Sequence, residues 1–319
     1  MSGGVEMKVL VVGGHGFVGS NLSATLTNKG HQVLPLSRRD GFDLMDLEGT
    51  RAQLARHRPE AIFNCAAHVG SVHYVKKNAA AVIHDNAQMA LNLYHAVALT
   101  DPTMRVINPL SNCSYPGDAD IHYEPDWLVG EPHGSVYAYA YSKRFIYVLS
   151  RCYREQFGVR SVNFLVPNTF GVGDHLDTDR THAISGMIVR MLDAKQRGEA
   201  RFEVWGSGRP VREWGYIDDV TEIVSRGLEL EPDLGYPVNI AQNSGASIGH
   251  TARAIAEAVG YKGELWFNTR YEDGAPRKIL DDRRFRELFP DYVFIDHEEA
   301  IRRTVKYYEQ ALAGAVKAA

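Results

Sequence analysis

The sequence predicts an α/β protein, a Rossmann-like doubly wound parallel sheet with a smaller, interleaved C-terminal α/β substrate lobe. Three observations predict it. Short β-branched runs alternate with helical patterns through the first half, a glycine-rich turn joins the first run to the first helix, and Tyr139 and Lys143, four residues apart, open a long helix after the fourth run. At 319 residues, 45% of them hydrophobic, the chain is long enough to bury a large core. Residues 1–166 are read as the dinucleotide-binding domain, with a return near 213–243, and residues 167–319 as the substrate lobe.

Taken in order, residues 8–12 (Lys-Val-Leu-Val-Val) form the first strand. Gly13-Gly14-His15-Gly16-Phe17-Val18-Gly19 follows, then a helical pattern over 20–28. In that context the glycines let the backbone approach a pyrophosphate, whose charge meets the helix N-terminus. The spacing is Gly-x-x-Gly-x-x-Gly. A second strand at 32–36 ends in Ser37-Arg38-Arg39, where an NAD site places an acid for the ribose hydroxyls. Two guanidiniums suit a 2′-phosphate and so favour NADP(H), with NAD the alternative because Asp40 stands next door. Asp43 and Leu44 precede the second helix, and the third strand, 61–67, ends in small residues that let a cofactor lie close. A helix over 79–99 leads to a strand at 105–110, whose end carries Ser111-Asn112-Cys113-Ser114-Tyr115-Pro116.

Beyond the helix of 139–157, a strand at 161–166 precedes a His- and Asp-rich loop at 171–181 and a helix over 183–197. Residues 204–208 read as strand and turn, 213–217 as a return to the main sheet, and 238–241 as a further strand. Helices over 247–259 and from 298 to about 312 complete the chain, whose tail is expected to fray. Cations recur in this half, at Arg190, Arg209, Arg212, Arg277 and Lys278. Guanidiniums bind a nucleotide diphosphate bidentately. Trp205 either stacks on a base or fills core, with the core favoured.

Composition narrows the function. A formal charge of −4 without a basic block argues against nucleic acid as a partner, while allowing a local cationic pocket. No run reaches membrane-spanning length, and the start lacks the two halves of a signal peptide. Its Ser-Gly-Gly reads as a disordered leader before a natural start at Met7, and the protein as cytoplasmic. Cys65, Cys113 and Cys152 are odd in number and scattered, signalling neither a disulfide framework nor a metal site.

On a helix, Tyr139 and Lys143 share one face. A phenol titrating near about 10 is a poor acid or base, but a close ammonium favours the phenolate and lowers that value. The pair is therefore expected to act as a proton shuttle, with Ser111 meeting the Tyr139 hydroxyl.

These stretches together resemble the extended short-chain dehydrogenase/reductase superfamily and, within its NAD-dependent epimerase/dehydratase branch, the GDP-L-fucose synthase family. The likeness rests on 13–21, 66–70, 111–116, 139–143, 168–174, 204–219 and 273–281, of which Trp-Gly-Ser-Gly and Asp-Gly-Ala-Pro-Arg-Lys are the most specific. The resemblance implies a catalytic set of Ser111, Cys113, Tyr139, Lys143 and His182. It also implies a cofactor set of Gly13, Gly16, Phe17, Val18, Gly19, Arg38, Arg39, Asp43, Leu44, Ala66, Ala67, His68 and Pro167 beside Tyr139 and Lys143. The implied substrate set is Asn168, Arg190, Trp205, Arg212 and Lys278. The partner implied is a nucleotide-diphosphate sugar, and the assembly a homodimer. The chain departs from the family in having Ser-Asn-Cys-Ser-Tyr-Pro for Ser-Ser-Cys-Ile-Tyr-Pro, Pro167-Asn168-Thr169-Phe170-Gly171-Val172 for Thr-Asn-Leu-Tyr-Gly-Pro, and a different segment at 118–135. These departures bear on the sugar more than on the chemistry.

The chemistry so implied is 3,5-epimerisation and 4-keto reduction. Cys113 as base and His182 as acid invert the carbons flanking a carbonyl, and NADPH then reduces it while Tyr139 protonates the oxygen. The alternatives are an epimerase without reduction, a 4-epimerase that retains NAD, a reductase of another 4-keto sugar such as a heptose, and a non-catalytic dinucleotide sensor. The sensor reading predicts loss of Tyr139 or Lys143, and both are present.

Overall fold

Alternation of side chains along buried strands builds the main sheet. The computed structural model describes residues 5–176, 181–232 and 234–318, the side chains of 314–318 excepted. The expected leader at 2–4 lies outside the described residues. In chain order the first half runs β1 (Lys8–Val12), α1 (Phe17–Asn28), β2 (Gln32–Leu36), α2 (Leu47–His57), β3 (Ala61–Asn64), α3 (Val72–Lys77), α4 (Ala79–Thr100), β4 (Arg105–Ser111), β5 (Ile121–His122), α5 (Tyr137–Phe157) and β6 (Ser161–Val166). The second half adds β7 (Asn168–Phe170), α6 (Ala183–Gln196), β8 (Arg201–Trp205), β9 (Val211–Arg212), β10 (Trp214–Tyr216), α7 (Ile217–Ser225), β11 (Val238–Asn239), β12 (Ala246–Ser247), α8 (Ile248–Val259), β13 (Glu264–Asn268), β14 (Arg277–Leu280), α9 (Arg283–Leu288) and α10 (His297–Ala318).

The main sheet is parallel throughout, in the order β11-β6-β4-β3-β1-β2. Leu10 and Val12 of β1 point into one core, with Leu54 of α2, Leu93 of α4 and Ile146 of α5. Val9 and Val11 point into the other, with Leu22 of α1 and Val220 and Ile223 of α7. Both faces are thus covered, as a parallel sheet requires. A third core lies in the second lobe, where α6, α8 and α10 close over β8 and β10.

The first turn is tight for steric reasons. Gly13 has φ +73°, and a Cβ there would meet the Ala66 backbone nitrogen at 2.8 Å. A Cβ on Gly19 would collide with the Gly13 carbonyl, so α1 packs close to β1 only because that position is bare.

Several sequence expectations need correction. Residues 213–217 do not return to the main sheet: β10 pairs with β7 in a separate two-stranded sheet, and β11 is the strand that joins the edge at β6. The strand expected at 204–208 starts earlier, because β8 pairs in parallel with β13 from Arg201 to Trp205. The third strand stops at Asn64, so the small residues after it are loop. The last helix is continuous to Ala318 instead of stopping near 312.

A four-stranded sheet, β12-β9-β14-β5, is built entirely from strands of two to four residues. Asn239 ties it to the main sheet. From β11 its side chain accepts the Tyr115 hydroxyl at 2.8 Å and donates to the His122 and Asp281 carbonyls at 3.0 and 3.1 Å. Its backbone N–H donates to Glu124 at 3.2 Å. Removing this amide strands one hydroxyl and two carbonyls in the interior. Asn239→Ala is expected to cost about 2–4 kcal/mol, read from denaturant unfolding, whereas an exposed control such as Asn28→Ala stays within about 0.5 kcal/mol.

Candidate active site

Parallel strands release their loops at their carboxyl ends, and it is there, beyond β1, β3 and β4, that the site is assembled. A cleft of about 580 Å³ lies over these ends. Gly13, Gly16, Arg38, Asp43, Leu44, Ala66, Ala67 and His68, all expected from the sequence, line it. Phe17, Val18 and Gly19 instead form the first turn of α1, with Phe17 buried in the second lobe's core. Arg39 is exposed outside the cleft lining, and Pro167 is buried where the bare face of Gly215 leaves room for its ring.

The cleft wall after β2 is arranged by capping. The Asp40 carboxylate accepts the Ser37 backbone N–H at 2.9 Å and lies 3.1 Å from the Ser37 hydroxyl and 2.9 Å from His15 Nε2. Desolvation works to raise the Asp40 pKa, but these bonds together hold it below the usual carboxylate value. The acid next to the arginines is therefore engaged in the turn. Arg38 lines the cleft and makes no ion pair with any described residue. On the far wall His68 is fixed by Asp85 at 2.8 Å and by the Tyr74 hydroxyl at 2.9 Å. Sequence reasoning missed both partners, which lie on α3 and α4 and carry no local signal.

At the end of β4 the Ser111 hydroxyl donates to Cys113 Sγ at 3.2 Å and accepts the Cys113 backbone N–H at 3.4 Å. A 3-10 turn at Asn112–Ser114 holds this geometry. Arg144 of α5 clamps it, donating to the Ser114 carbonyl at 2.8 Å and the Gly130 carbonyl at 2.7 Å. Beside Arg144 in sequence, Lys143 Nζ lies 5.3 Å from the centroid of the Tyr139 ring, one turn back on α5. Tyr139 packs with Tyr74, Val75, Val82 and Ala138. Lys143 is 4% exposed, and its charge is felt at both Cys113 and Cys65, the latter in the cleft lining. Lys143 thus lies near both the turn bearing Cys113 and the cleft lining.

Electrostatics correct the expectation of a lowered tyrosine pKa. Burial raises the Tyr139 phenol well above its ordinary value, and the neighbouring Cys113 adds to this. Burial also lowers Lys143 from 10.5 to about 8. The cost of ionising a group among protein atoms exceeds what this pairing returns. Cys113 follows the same rule: burial raises its thiol even though Ser111, Lys278 and Lys143 all pull it down.

His182 starts α6, and its Nδ1 lies 3.1 Å from both carboxylate oxygens of buried Asp174. Its ring sits 5.5 Å from that of Phe17. In the small sheet Arg212 and Lys278 are register partners on β9 and β14, so their side chains share a face. Lys278 reaches Cys113 electrostatically. Asn168 is the register partner of Trp214 on β10, and its side chain donates to the Glu213 carbonyl just before that strand at 3.3 Å. Trp205 is not core: it is 54% exposed, stacked on Tyr271 with centroids 5.3 Å apart, and covered by the Arg190 guanidinium at 4.6 Å. An edge strand pointing outward puts it there. Ser111, Cys113, Tyr139, Lys143 and Lys278 thus come together, while Arg190 and Trp205 form a separate aromatic–cation platform.

Among the described residues no helix is long and apolar enough to cross a membrane. Residues 9–241 match the NAD dependent epimerase/dehydratase family. A probable GDP-L-fucose synthase from Drosophila melanogaster is 31% identical over 94% of this chain and 97% of its own length. A GDP-L-colitose synthase from Yersinia pseudotuberculosis is 27% identical, over 95% and 98% respectively. Among solved structures, a GDP-L-fucose synthetase from Naegleria fowleri bound to NADP superposes with a TM-score of 0.86 at 25% identity, covering 96% of this chain and 93% of that one.

The Lys143 shift has a testable sign. A folded-state value of about 8 against 10.5 means the folded chain binds fewer protons than the unfolded one between those limits, so stability rises with pH across them. The burial penalty is fully present below about pH 8. Lys143→Met is expected to be more stable than the parent at pH 7 by up to about 3 kcal/mol, the gap closing as pH approaches 10.5, in urea unfolding at several pH values.

Proposed function

Because the chain belongs to the NAD dependent epimerase/dehydratase family, we propose that it is an NADP-dependent enzyme that epimerises a GDP-4-keto-6-deoxy sugar at the two carbons flanking the carbonyl and reduces the 4-keto group. The observation that carries this reading is the convergence of a thiol, a phenol and two ammonium groups at the end of β4, next to a glycine-walled cleft. Residues 1–166 serve as the cofactor lobe, to which α7 and β11 return, and 167–319 otherwise as the substrate lobe. The cleft fits NADP(H): Gly13 leaves no room for a side chain against Ala66, and Arg38 lines the wall while Asp40 is engaged by Ser37 and His15. Arg38 holds the 2′-phosphate, and Arg212 and Lys278 hold the diphosphate and sugar.

A carbonyl acidifies the hydrogens on its two flanking carbons. Cys113 takes such a proton as thiolate, the substrate becomes an enolate, and His182 returns a proton on the opposite face. The carbon is thereby inverted, and exchange with water resets both groups. Lys143 and Lys278 favour the thiolate that burial opposes. When bound, NADPH supplies the hydride that reduces the carbonyl carbon. Tyr139 gives its proton to the carbonyl oxygen, and its raised pKa keeps that proton in place beforehand. Ser111 donates a hydrogen bond to the same oxygen. Acid–base groups of this kind typically contribute ~10²–10⁴-fold each.

We also assign the protein to the cytoplasm as a homodimer. Exposed Ile83, Leu91 and Leu99 on α4 and Val148 on α5 support a pairing face. Sedimentation at twice the chain mass is the expected result.

Purified protein mixed with GDP-4-keto-6-deoxymannose is expected to consume NADPH in preference to NADH, and Arg38→Ala to erode that preference about tenfold or more. Tyr139→Phe should retain NADPH binding and lose at least about 10²-fold in hydride transfer. Run in deuterated water, the wild type should place deuterium on both flanking carbons, and Cys113→Ser should not. Reduction without any incorporation would make this a plain reductase.

A further inference from the structure

The carboxylate behind His182 has a specific geometry. Asp174 is 3% exposed, and its side chain is sealed from solvent. One oxygen accepts the His175 backbone N–H at 2.8 Å and the other accepts the His182 backbone N–H at 3.1 Å, while His182 Nδ1 is 3.1 Å from each. Burial works to raise the Asp174 pKa, yet His182, Ser185 and the His175 amide together hold it below the ordinary value. An ionised carboxylate has no proton to give, so Nδ1 must be the donor. With Nδ1 committed, Nε2 is the ring atom left to exchange protons, and 44% of the imidazole side chain is open to make that exchange.

We propose that Asp174 is a positioning residue that locks His182 as the Nδ1–H tautomer, so that Nε2 alone delivers the proton to the sugar carbon. This rests on the reading of His182 as the epimerisation acid. The proton leaves Nε2 for the enolate carbon, the imidazole is left neutral with its Nδ1–H still on Asp174, and water restores Nε2–H. Two further hydroxyls back the carboxylate. Ser185 Oγ of α6 and Tyr308 Oη of α10 are buried without a hydrogen bond of good geometry, and both lie close enough to interact with Asp174. Ser185 helps hold the carboxylate ionised, and Tyr308 of the last helix feels its charge. In the sequence this pairing is hidden, because nothing in the residues around Asp174 or His182 marks the two as partners.

The test replaces Asp174 with Asn, which keeps shape but can turn its amide N–H toward the ring and invert the tautomer. Nitrogen-15 shifts of the His182 ring should report Nδ1–H in the wild type and Nε2–H in Asp174→Asn. Deuterium incorporation into GDP-4-keto-6-deoxymannose should fall about 10²-fold, the scale of a lost general acid, while the NADPH dissociation constant stays the same. Asp174→Glu should recover part of the rate, and covers the case in which the Asn variant folds poorly. Wild-type exchange in Asp174→Asn, an Nε2–H tautomer already in the wild type, or an equal loss of NADPH binding would each overturn the assignment. A wild-type protein that exchanges nothing would sink the epimerase reading instead, and the nitrogen shifts would still decide what Asp174 does to the ring.

Discussion

A single buried ammonium sets the terms on which the rest of this site works. Lys143 is surrounded by protein, lies against the Tyr139 ring and is coupled to two thiols, one on each side of the boundary between cleft and reacting cluster. Such a charge is expensive to hold away from water. Its lowered pKa measures that expense, and the raised values of Tyr139 and Cys113 measure the same environment acting on groups of the opposite charge type. Burial keeps the phenol and thiol on the protonated side, while a Lys143 value of about 8 leaves its ammonium mostly charged at neutral pH.

The dry environment is held in place from outside the main sheet. Arg144 clamps the turn bearing Cys113 through two backbone carbonyls, and Trp127 donates to the Ser114 hydroxyl at 2.8 Å from a fully buried position. Asn239 then joins the sheet edge to β5 and to the end of β14, which carries Lys278. Lys278 therefore reaches Cys113 because short strands, none longer than four residues, are stitched to a long parallel sheet. His182 is the contrast: half-open, at the start of a helix, and oriented by one buried carboxylate. Under the proposed epimerisation, that openness lets the proton on His182 be renewed from water.

Much of this was legible in the chain. Short apolar, β-branched runs located all six main-sheet strands to within a few residues, and the glycine spacing located the turn, because these signals are local and steric. Tyr139 and Lys143 were legible for the same reason, since helical spacing alone puts them on one face. Position at a strand end supplied Ser111 and the resemblance supplied Cys113 and Lys278, and the fold brings the three near one another. What sequence could not supply was partners and energies. Nothing local marks Asp174 as the group behind His182, or Asp85 and Tyr74 as the clasp on His68. The favoured placement of Trp205 in the core also failed, because an aromatic residue on an edge strand looks the same in sequence whether it faces in or out.

The sequence by itself determined the order of strands and helices, the bare glycine positions and the residue types available for acid–base chemistry. Each of these depends on neighbours within a few residues along the chain. Tertiary structure alone decided that β10 leaves the main sheet, that Asp40 turns away into a cap, and that Tyr139 is held protonated when the spacing suggested an ionised phenol. The reason is common to all three: pairing register and desolvation are set by atoms distant in sequence, and in a buried site the loss of water outweighs the attraction of a single nearby charge.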